Sequence, residues 1–292
     1  MTQSQPDGIV AARDLSAEVQ AAARALRDLC NREDGLDLKV EVESAPWDRG
    51  SGPNRFLYYL DGALVGFCSL DEGGDIEVCG MVHPAYRRRG IGRALLDAAR
   101  SEARARGKSS ILLIGEDGSP GGRALAASVD APREFAEHHM ELHGPGPQPP
   151  AAPRVEMRRA TLDDIDALTE ITAAAFGDPE DFVRSRITAD LPDPNQRFYV
   201  GWFEGRPVGS LKVYTHGPGA GIYAFGVRPA DRGKGLGRAI LTETIRLLQA
   251  DGRDPMTLEV ETENTPAVNL YLSCGFQTTT TYGYYRVETG AR

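Results

Sequence analysis

The stretch VRPADRGKGLGRA at residues 227–239 repeats the stretch VHPAYRRRGIGRA at residues 82–94, so one glycine-rich motif occurs twice in the chain. Each shared member recurs 145 positions later, and in the first copy these members are Val82, Pro84, Arg87, Gly90, Gly92 and Arg93. An apolar run precedes each copy and an amphipathic run follows it. Each copy therefore predicts a strand, a tight turn and a helix.

Such a turn predicts an anion-binding site. Glycine lets the backbone approach a ligand closely, and the first turn of a helix presents unpaired N–H groups and a partial positive charge. Phosphate groups bind at helix N-termini for these two reasons. We therefore expect each turn to bind an anion such as a pyrophosphate.

Composition excludes several classes of protein. Lys and Arg number 33 against 42 Asp and Glu, a net charge of −9, so neither half has the basic surface of a nucleic-acid binder. The beginning, MTQSQPDGIV, is unlike a signal peptide, and no apolar run approaches the ~20 residues of a membrane span. Four scattered cysteines without C-x-x-C spacing predict neither zinc nor disulfides. We expect a cytoplasmic protein with no membrane or nucleic-acid partner.

The displacement of the repeat divides the 292 residues into two domains of nearly equal size. The stretch GPGPQPPAAP at residues 144–153 predicts a linker between them, since proline supplies no N–H and glycine is flexible. We therefore expect an N-terminal domain over residues 1–143 and a C-terminal domain over residues 154–292.

Hydrophobic spacing predicts similar elements in both domains. In the second half these are a strand at 155–159, helices at 162–176 and 178–189, strands at 197–203, 208–214 and 222–227, a helix at 236–250, a strand at 256–260, a helix at 266–273 and a strand at 282–287. In the first half they are a strand at 9–13, a helix at 18–30, strands at 55–60, 64–70 and 77–82, a helix at 91–106 and a strand at 111–114. The predicted fold class is α+β, with helices on both faces of each sheet.

Two other phosphate-binding motifs do not fit the second turn. Lys234 follows Gly233 without the later Ser or Thr that holds magnesium in a Walker A loop. Gly233 and Gly235 could begin a dinucleotide fingerprint, but Arg238 occupies the third glycine position and the motif follows antiparallel strands. The remaining alternative, a solvated basic turn that only caps a helix, does not explain two copies with matched spacing.

At these residues the chain resembles the GNAT superfamily of acetyl-CoA-dependent N-acetyltransferases, whose turn reads Gln/Arg-x-x-Gly-x-Gly/Ala after a Val-x-Pro strand end. The segment ETENTPAVNLYLSCGF at residues 261–276 resembles a later segment of that family, with matches at Asn264, Ala267, Tyr271, Gly275 and Phe276. The resemblance implies two tandem GNAT-like domains, each with a mixed, mostly antiparallel sheet. It also implies acetyl-CoA as the cosubstrate.

The resemblance and the chemistry of the residues together assign roles in the second half. Turn amides bind the pyrophosphate, the strand end binds the pantetheine arm, and Asn264 binds a pantetheine amide, caps its helix, or does both. The expected cofactor-binding residues are Phe225, Gly226, Val227, Arg232, Gly233, Lys234, Gly235, Leu236, Gly237, Arg238 and Asn264. Tyr271 is the candidate general acid for the leaving thiolate, and the alternative is that it only packs its helix on the sheet.

The general base and the acceptor contacts are harder to assign. Glu261 lies two residues after Glu259 on one strand face and is the candidate base, although a solvated face explains the pair equally. Glu180 is the candidate substrate carboxylate, or else an ordinary first-turn helix acid. In the tandem mycothiol synthases of this superfamily a Glu begins the strand before the turn. The matching position here is Gly221, which counts against mycothiol synthesis.

The first half departs further from the family pattern. Aligning SPGGRALAASVDA at residues 119–131 by its Ser-Pro places Gly118 opposite Asn264 and Leu125 opposite Tyr271. We therefore expect this half to be degenerate and non-catalytic, with acetyl-CoA bound but not turned over. The residues expected to bind it are Val82, Arg87, Arg88, Arg89, Gly90 and Gly92.

Three functions remain open from the sequence. The first is N-acetyltransferase activity toward a primary amine of a small molecule, the second is mycothiol synthesis, and the third is non-catalytic acyl-CoA binding. The intact pair of Asn264 and Tyr271 favours catalysis. Acceptor identity is expected to depend on loops at 192–196 and 215–221, and a monomer is expected over a homodimer.

Overall fold

The computed structural model describes residues 7–42, 52–72, 74–146 and 153–290. The first half contains β1 (Gly8–Ala12), α1 (Ala17–Asp34), β2 (Arg55–Leu60), β3 (Ala63–Asp71), β4 (Glu77–Val82), α2 (Ile91–Ala105), β5 (Ser110–Glu116), α3 (Pro120–Ser128) and β6 (Arg133–Leu142). The second half contains β7 (Glu156–Arg159), α4 (Ile165–Phe176), α5 (Glu180–Asp190), β8 (Gln196–Phe203), β9 (Arg206–His216), β10 (Gly219–Val227), α6 (Leu236–Ala250), β11 (Met256–Glu261), α7 (Thr265–Ser273) and β12 (Gln277–Glu288). The predicted strand, turn and helix are present at both copies of the glycine motif.

Two compact units make up the chain, and each takes a strand segment from the other half. The first unit comprises Met1–Glu137 with Thr280–Arg292, and the second comprises His138–Thr279. Strands β6 and β12 therefore each begin in one unit and end in the other. The boundary expected at residues 144–153 does not coincide with this division, and residues 147–152 lie outside the described residues.

The first unit is a mixed sheet in the order β1-β2-β3-β4-β5-β12, followed by the beginning of β6. Strands β4 and β5 pair in parallel, and β5 pairs antiparallel with β12. Adjacent residues of β2 point to opposite faces: Phe56 packs in the core that includes α2 and α3, and Leu57 in the core that includes α1. Tyr284 of β12 is 1 % exposed in the latter core, so the last strand of the chain completes the first unit.

The second unit has the order β7-β8-β9-β10-β11, followed by the end of β6. Strands β10 and β11 are parallel, and β7 to β10 pair antiparallel. Phe198 of β8 packs in the core shared with α4 and α5, whereas its neighbour Tyr199 packs in the core shared with α6 and α7. The α+β fold class is therefore confirmed, with helices on both faces of each sheet.

The cysteines and the helices each show one feature that concerns the whole described structure. All four cysteines are buried. Among the described residues, every helix is too short or too polar to cross a bilayer.

The exchange of strands predicts which fragments fold. Residues 1–143 expressed alone should lack a cooperative unfolding transition, because they omit β12. The loss of buried Tyr284 alone is worth about 3–5 kcal/mol. Fusing residues 280–290 after Glu137 through a short Gly/Ser linker should restore cooperativity. Urea unfolding followed by circular dichroism compares the two fragments, and equal transitions would contradict this assignment of β12.

Candidate active site and cofactor cleft

Helix α6 begins without any side chain to cap it. Its N-cap residue, Gly235, has φ +79°, makes no side-chain hydrogen bond to the first turn, and is followed by a turn without an acidic residue. Helix α2 begins in the same way at Gly90, with φ +80°. The other described α-helices each have a capping side chain or an acidic residue in the first turn. Within the described residues, the first-turn N–H groups of α2 and α6 therefore have neither a capping side chain nor a first-turn acid, which is the arrangement that an anion site requires.

The arginines that open the two turns make the same bond to their strands. The Arg232 Nε donates to the Val227 carbonyl at 3.1 Å, and the Arg87 Nε donates to the Val82 carbonyl at 3.0 Å. Arg232 also donates to the Ala175 carbonyl at the end of α4. Both guanidinium groups therefore fix the turn against the strand end, a positioning role that the sequence did not indicate.

A buried carboxylate sits beneath the second turn. Asp231 is 1 % exposed and accepts two hydrogen bonds from Arg206, at 2.6 and 2.7 Å, and one from Lys234 at 3.1 Å. These cations hold the pKa of Asp231 well below its ordinary value. The amine of Lys234 is therefore directed toward Asp231, and its charge remains beside the turn.

The parallel strands separate where the turn begins. Strand β10 pairs with β11 at Ala220, Gly221 and Ile222. A bulge then shifts the register of β10 between Tyr223 and Gly226, and Ala224 within it has φ +48°. From the bulge onward, the expected pantetheine-binding segment 225–227 no longer pairs with β11, so its edge toward β11 is open while Gly226 and Val227 stay paired with β9.

Tyr271 and Asn264 lie on the same side of this gap, at α7. The Tyr271 ring is 6.3 Å from that of Phe225, between ring centroids, and burial raises the pKa of Tyr271 to about 12. Its phenol therefore keeps its proton at neutral pH. The Asn264 Oδ1 accepts from the Ala267 N–H at 3.3 Å, which confirms that this residue caps α7.

The acidic candidates lie elsewhere. Glu261 is exposed at the end of β11, and Glu180 is the exposed first residue of α5. Glu259 is partly buried, with an oxygen 3.7 Å from the His139 Nδ1. Because Leu258 packs toward α6 and α7, strand alternation points both β11 glutamates to the opposite face. Neither Glu261 nor Glu180 lines the cavity on that face.

That cavity has a volume of about 270 Å³ and lies between α4 and α5 and the strands β9 and β10. Its polar and charged lining consists of Thr172, Asp178, Arg186, Asp190, Ser210, Lys212 and Tyr223. A Cβ at Gly221 would meet the Tyr223 ring at 2.5 Å, so the Tyr223 side chain occupies the space beside Gly221. Sequence reasoning missed this lining. Polar Ser210 and Lys212 inside an otherwise apolar strand were the available signal.

The first unit contains a larger cavity, of about 640 Å³, at its own glycine turn. Val82, Gly90, Gly92 and Ser119 are among the residues that line it. The glycine turn is therefore accessible in this half as well. Its strands β4 and β5 pair at Glu77 and Val78, at the start of β4, and so they also separate before the turn.

Helices α3 and α7 correct one detail of the comparison between halves. They run over 120–128 and 265–273, the same 145 positions apart as the turns. Ser119 therefore corresponds to Asn264 and Ala126 to Tyr271, and the alignment of Gly118 and Leu125 with them is wrong by one residue. Ser119 indeed caps α3 by accepting from the Gly122 N–H at 3.0 Å. The first unit still lacks a phenol at this position.

A family model described as the acetyltransferase (GNAT) family matches residues 21–127 and again residues 165–276. The chain belongs to the GNAT acetyltransferase family. The double match confirms the tandem arrangement and identifies an acyl-CoA-dependent N-acetyltransferase. Members of this family generally use acetyl-CoA.

Relatives of similar length resemble the whole chain. A mycothiol acetyltransferase of Clavibacter michiganensis subsp. michiganensis is 34 % identical over 273 residues, which is 86 % of each protein. One from Catenulispora acidiphila is 34 % identical over 236 residues, or 73 % of this chain and 74 % of the relative. A GCN5-related N-acetyltransferase from Sphaerobacter thermophilus has a TM-score of 0.77 at 21 % identity, covering 98 % of this chain and 97 % of that one. A tandem GNAT protein from the clavulanic acid biosynthesis pathway has a TM-score of 0.73 at 19 % identity, covering 97 % and 99 %. These structures share the tandem fold.

The open helix ends predict a matched pair of variants. Gly237→Asp places a carboxylate in the first turn of α6, and Gly92→Asp does so in α2. A Cβ at either position meets only ordinary contacts of 3.5 Å or more, and an acid near a helix N-terminus favours the helix. We expect each variant to weaken one of two acetyl-CoA binding events about 10-fold, through charge repulsion and competition for the amides, without lowering the melting temperature. Isothermal titration calorimetry measures the affinity of both binding events, and thermal unfolding gives the melting temperature. Unchanged affinity in Gly237→Asp would contradict the assignment of α6.

Proposed function

We propose that the second unit transfers an acetyl group from acetyl-CoA to a primary amine of a small molecule by direct attack. The observation that carries this proposal is the uncapped start of α6 beside the separated end of β10, with Tyr271 packed against the same strand end. This arrangement supplies an anion site, a free strand edge and a proton donor within one cleft.

Backbone groups do most of the cofactor binding in this proposal. The amides from Gly233 to Arg238 bind the pyrophosphate, and segment 225–227 hydrogen-bonds the pantetheine arm as an added strand does. The Asn264 side-chain nitrogen remains available for a pantetheine amide, since its oxygen caps α7. An N–H of the bulge stabilises the negative charge that develops on the thioester oxygen, a contact whose removal typically costs about 10²–10³ in rate.

Tyr271 donates the proton that the departing thiolate of CoA takes up. Burial keeps this phenol protonated, since its pKa is raised to about 12. The neutral phenol hydrogen-bonds the sulfur and transfers its proton as the C–S bond breaks and negative charge develops there. Packing against Phe225 and Phe276 holds the ring in place and is compatible with this role.

Glu261 is the proposed general base. It ends β11 on the same sheet face as the 270 Å³ cavity, and its exposure allows proton exchange with solvent. Because it does not line the cavity, it takes the ammonium proton through intervening water. Glu180, at the start of α5, is proposed to attract the cationic acceptor toward the cavity.

Mycothiol acetylation is the second candidate, and it is favoured by the 34 % identity to mycothiol acetyltransferases over nearly the whole chain. Gly221 and the overlying Tyr223 argue for a different acceptor contact in this protein.

The first unit is proposed to bind acetyl-CoA without turning it over. Its turn is uncapped and its cavity is large, which supports binding. Ala126 at the position of the phenol removes the proton donor, which supports the absence of turnover.

A panel of primary amines tests the activity directly. The intact protein is mixed with acetyl-CoA and each amine, including cysteinyl glucosaminyl inositol, and thiol release is measured. We expect at least one amine to release CoA faster than acetyl-CoA alone. CoA binding without amine-dependent release by any member would support the non-catalytic acyl-CoA-binding function instead.

Tyr271→Phe should lower kcat by about 10²–10⁴ and leave acetyl-CoA affinity unchanged, because only the proton donor is removed and the ring still packs. The pH profile adds a check. A phenol of pKa about 12 stays protonated, so wild-type kcat should not fall between pH 8 and 10 through Tyr271. Unchanged kcat in Tyr271→Phe would remove the general-acid assignment.

A further inference from the structure

The cavity of the second unit lies directly over the bulge in β10. Ser210 of β9 is opposite Gly226, and Lys212 is opposite Tyr223, so Leu211 faces the two bulged residues between them. Residues 210 and 212 point to the same side of the strand, and both line the cavity, as Ala224 does. The cavity therefore opens at the backbone segment where the acetyl group is presented in the proposed function.

The floor of this cavity contains one hydroxyl without a partner. Ser210 is 1 % exposed, and its Oγ makes no hydrogen bond within the part of the chain that the structure describes. An unsatisfied buried hydroxyl costs stability, so its retention beside a cavity points to a ligand that supplies the missing bond.

A buried ion pair forms the adjacent part of the floor. The Lys212 Nζ lies 3.5 Å from an Asp190 oxygen and 3.2 Å from the Gln196 Oε1, and both charged side chains are largely buried. Their charges cancel, so this pair presents polar groups to a ligand without a net charge.

The guanidinium of Arg186, which also lines the cavity, has no carboxylate partner among the described residues. Arg186 of α5 is partly buried and stacks over the Phe182 ring, with its carbon 5.6 Å from the ring centre. It forms no ion pair among the described residues, unlike Arg184 on the same helix, which pairs with Asp166 at 2.7 Å. The other charged residue of the lining is Asp178, which is exposed. After the Lys212–Asp190 pair cancels, one cation and one anion remain to face a ligand.

This balance matches a zwitterion. A guanidinium fork binds a carboxylate through two parallel hydrogen bonds, and a single free cation neutralises one negative charge but not the two of a phosphate. The volume of about 270 Å³ lies below the range of about 300–1,000 Å³ that holds drug-sized ligands, which favours an acceptor of amino-acid size.

We propose that the acetyl acceptor is a small amine that carries a carboxylate, and that Arg186 binds this carboxylate while the amine approaches the bulge of β10. The Ser210 hydroxyl hydrogen-bonds the same acceptor from the floor. This inference rests on the proposed function, since it names the substrate class of that site.

Matched substrates test the inference. The panel consists of alanine, leucine and phenylalanine, their carboxamides, the alkylamines that lack the carboxyl group, and phosphoethanolamine as the phosphate arm. We expect kcat/KM for the acids to exceed that for the carboxamides by about 10-fold or more. The α-amine of an amino-acid carboxamide is less basic than that of the acid, so more of it is unprotonated at neutral pH. Intrinsic reactivity therefore favours the carboxamides, and faster acetylation of the acids points to recognition of the carboxylate.

Arg186→Gln is expected to lower kcat/KM for the acids by about 10–100-fold, mainly through KM, and to leave the carboxamides within about 2-fold. Arg184→Gln is the matched control, one half-turn earlier on α5, and should leave both substrate classes unchanged. Arg186→Lys keeps the charge without the fork and should fall between them. Melting temperature and CoA affinity report that each variant is folded.

The outcomes separate the inference from the proposed function. If uncharged amines, or phosphoethanolamine, are acetylated better than the acids, or if Arg186→Gln slows acids and carboxamides equally, the inference is wrong and the proposed function stands. If no primary amine accelerates CoA release, both are wrong. Preference for the acids that is lost only in the Arg186 variants supports the inference.

Discussion

The first-turn N–H groups of helix α6 need hydrogen-bond acceptors, and among the described residues neither a capping side chain nor a first-turn acid supplies one. Backbone N–H groups are normally paired, and helix starts are usually completed by a Ser, Thr, Asp or Asn side chain. At Gly235 neither a cap nor a first-turn acid is present, and the same holds at Gly90. This open helix start makes a phosphate site possible, and the position of the cleft follows from it.

The cleft also depends on the point at which β10 stops pairing with β11, just after Ile222. The bulge after Tyr223 turns β10 away from β11, and Gly226 permits it because a Cβ there would lie 2.5 Å from the Ala175 Cβ. Helix α4 therefore lies directly against the bulge, and Arg232 ties the turn to both α4 and β10. Gly226, the bulge and Arg232 together hold the glycine turn against the end of β10.

Comparison of the two halves shows which of these structural features they share. The bond from the first arginine of the turn to the strand end is present in both halves, as are the uncapped helix and the capped helix that follows. What differs is the helix that carries Tyr271, where the first half has Ala126. The uncapped glycine turn is therefore common to both units, whereas the proposed proton donor, Tyr271, belongs to the second.

Local patterns in the sequence predicted local structure well. Helix α6 begins and ends at the expected residues, Leu236 and Ala250, because its apolar spacing is regular and a glycine turn precedes it. The region 215–221, expected as a loop, is mostly strand with a tight hairpin at Gly217, since Gly219–Gly221 pair with β9, and Ala220 and Gly221 also pair with β11. The exchange of β6 and β12 could not be predicted, because period-two alternation reports burial but not which partner strand provides it. The lining of the proposed acceptor cavity was missed for a related reason: Arg186 is distant in sequence from Ser210 and Tyr223 and meets them only after α5 packs on the sheet.

The most direct test of this account is a crystal structure of the protein with coenzyme A. We predict a diphosphate whose oxygens lie about 2.7–3.2 Å from the main-chain nitrogens of Leu236, Gly237 and Arg238, with the pantetheine arm along residues 225–227. Coenzyme A bound elsewhere in the second unit, with the start of α6 facing only solvent, would contradict it.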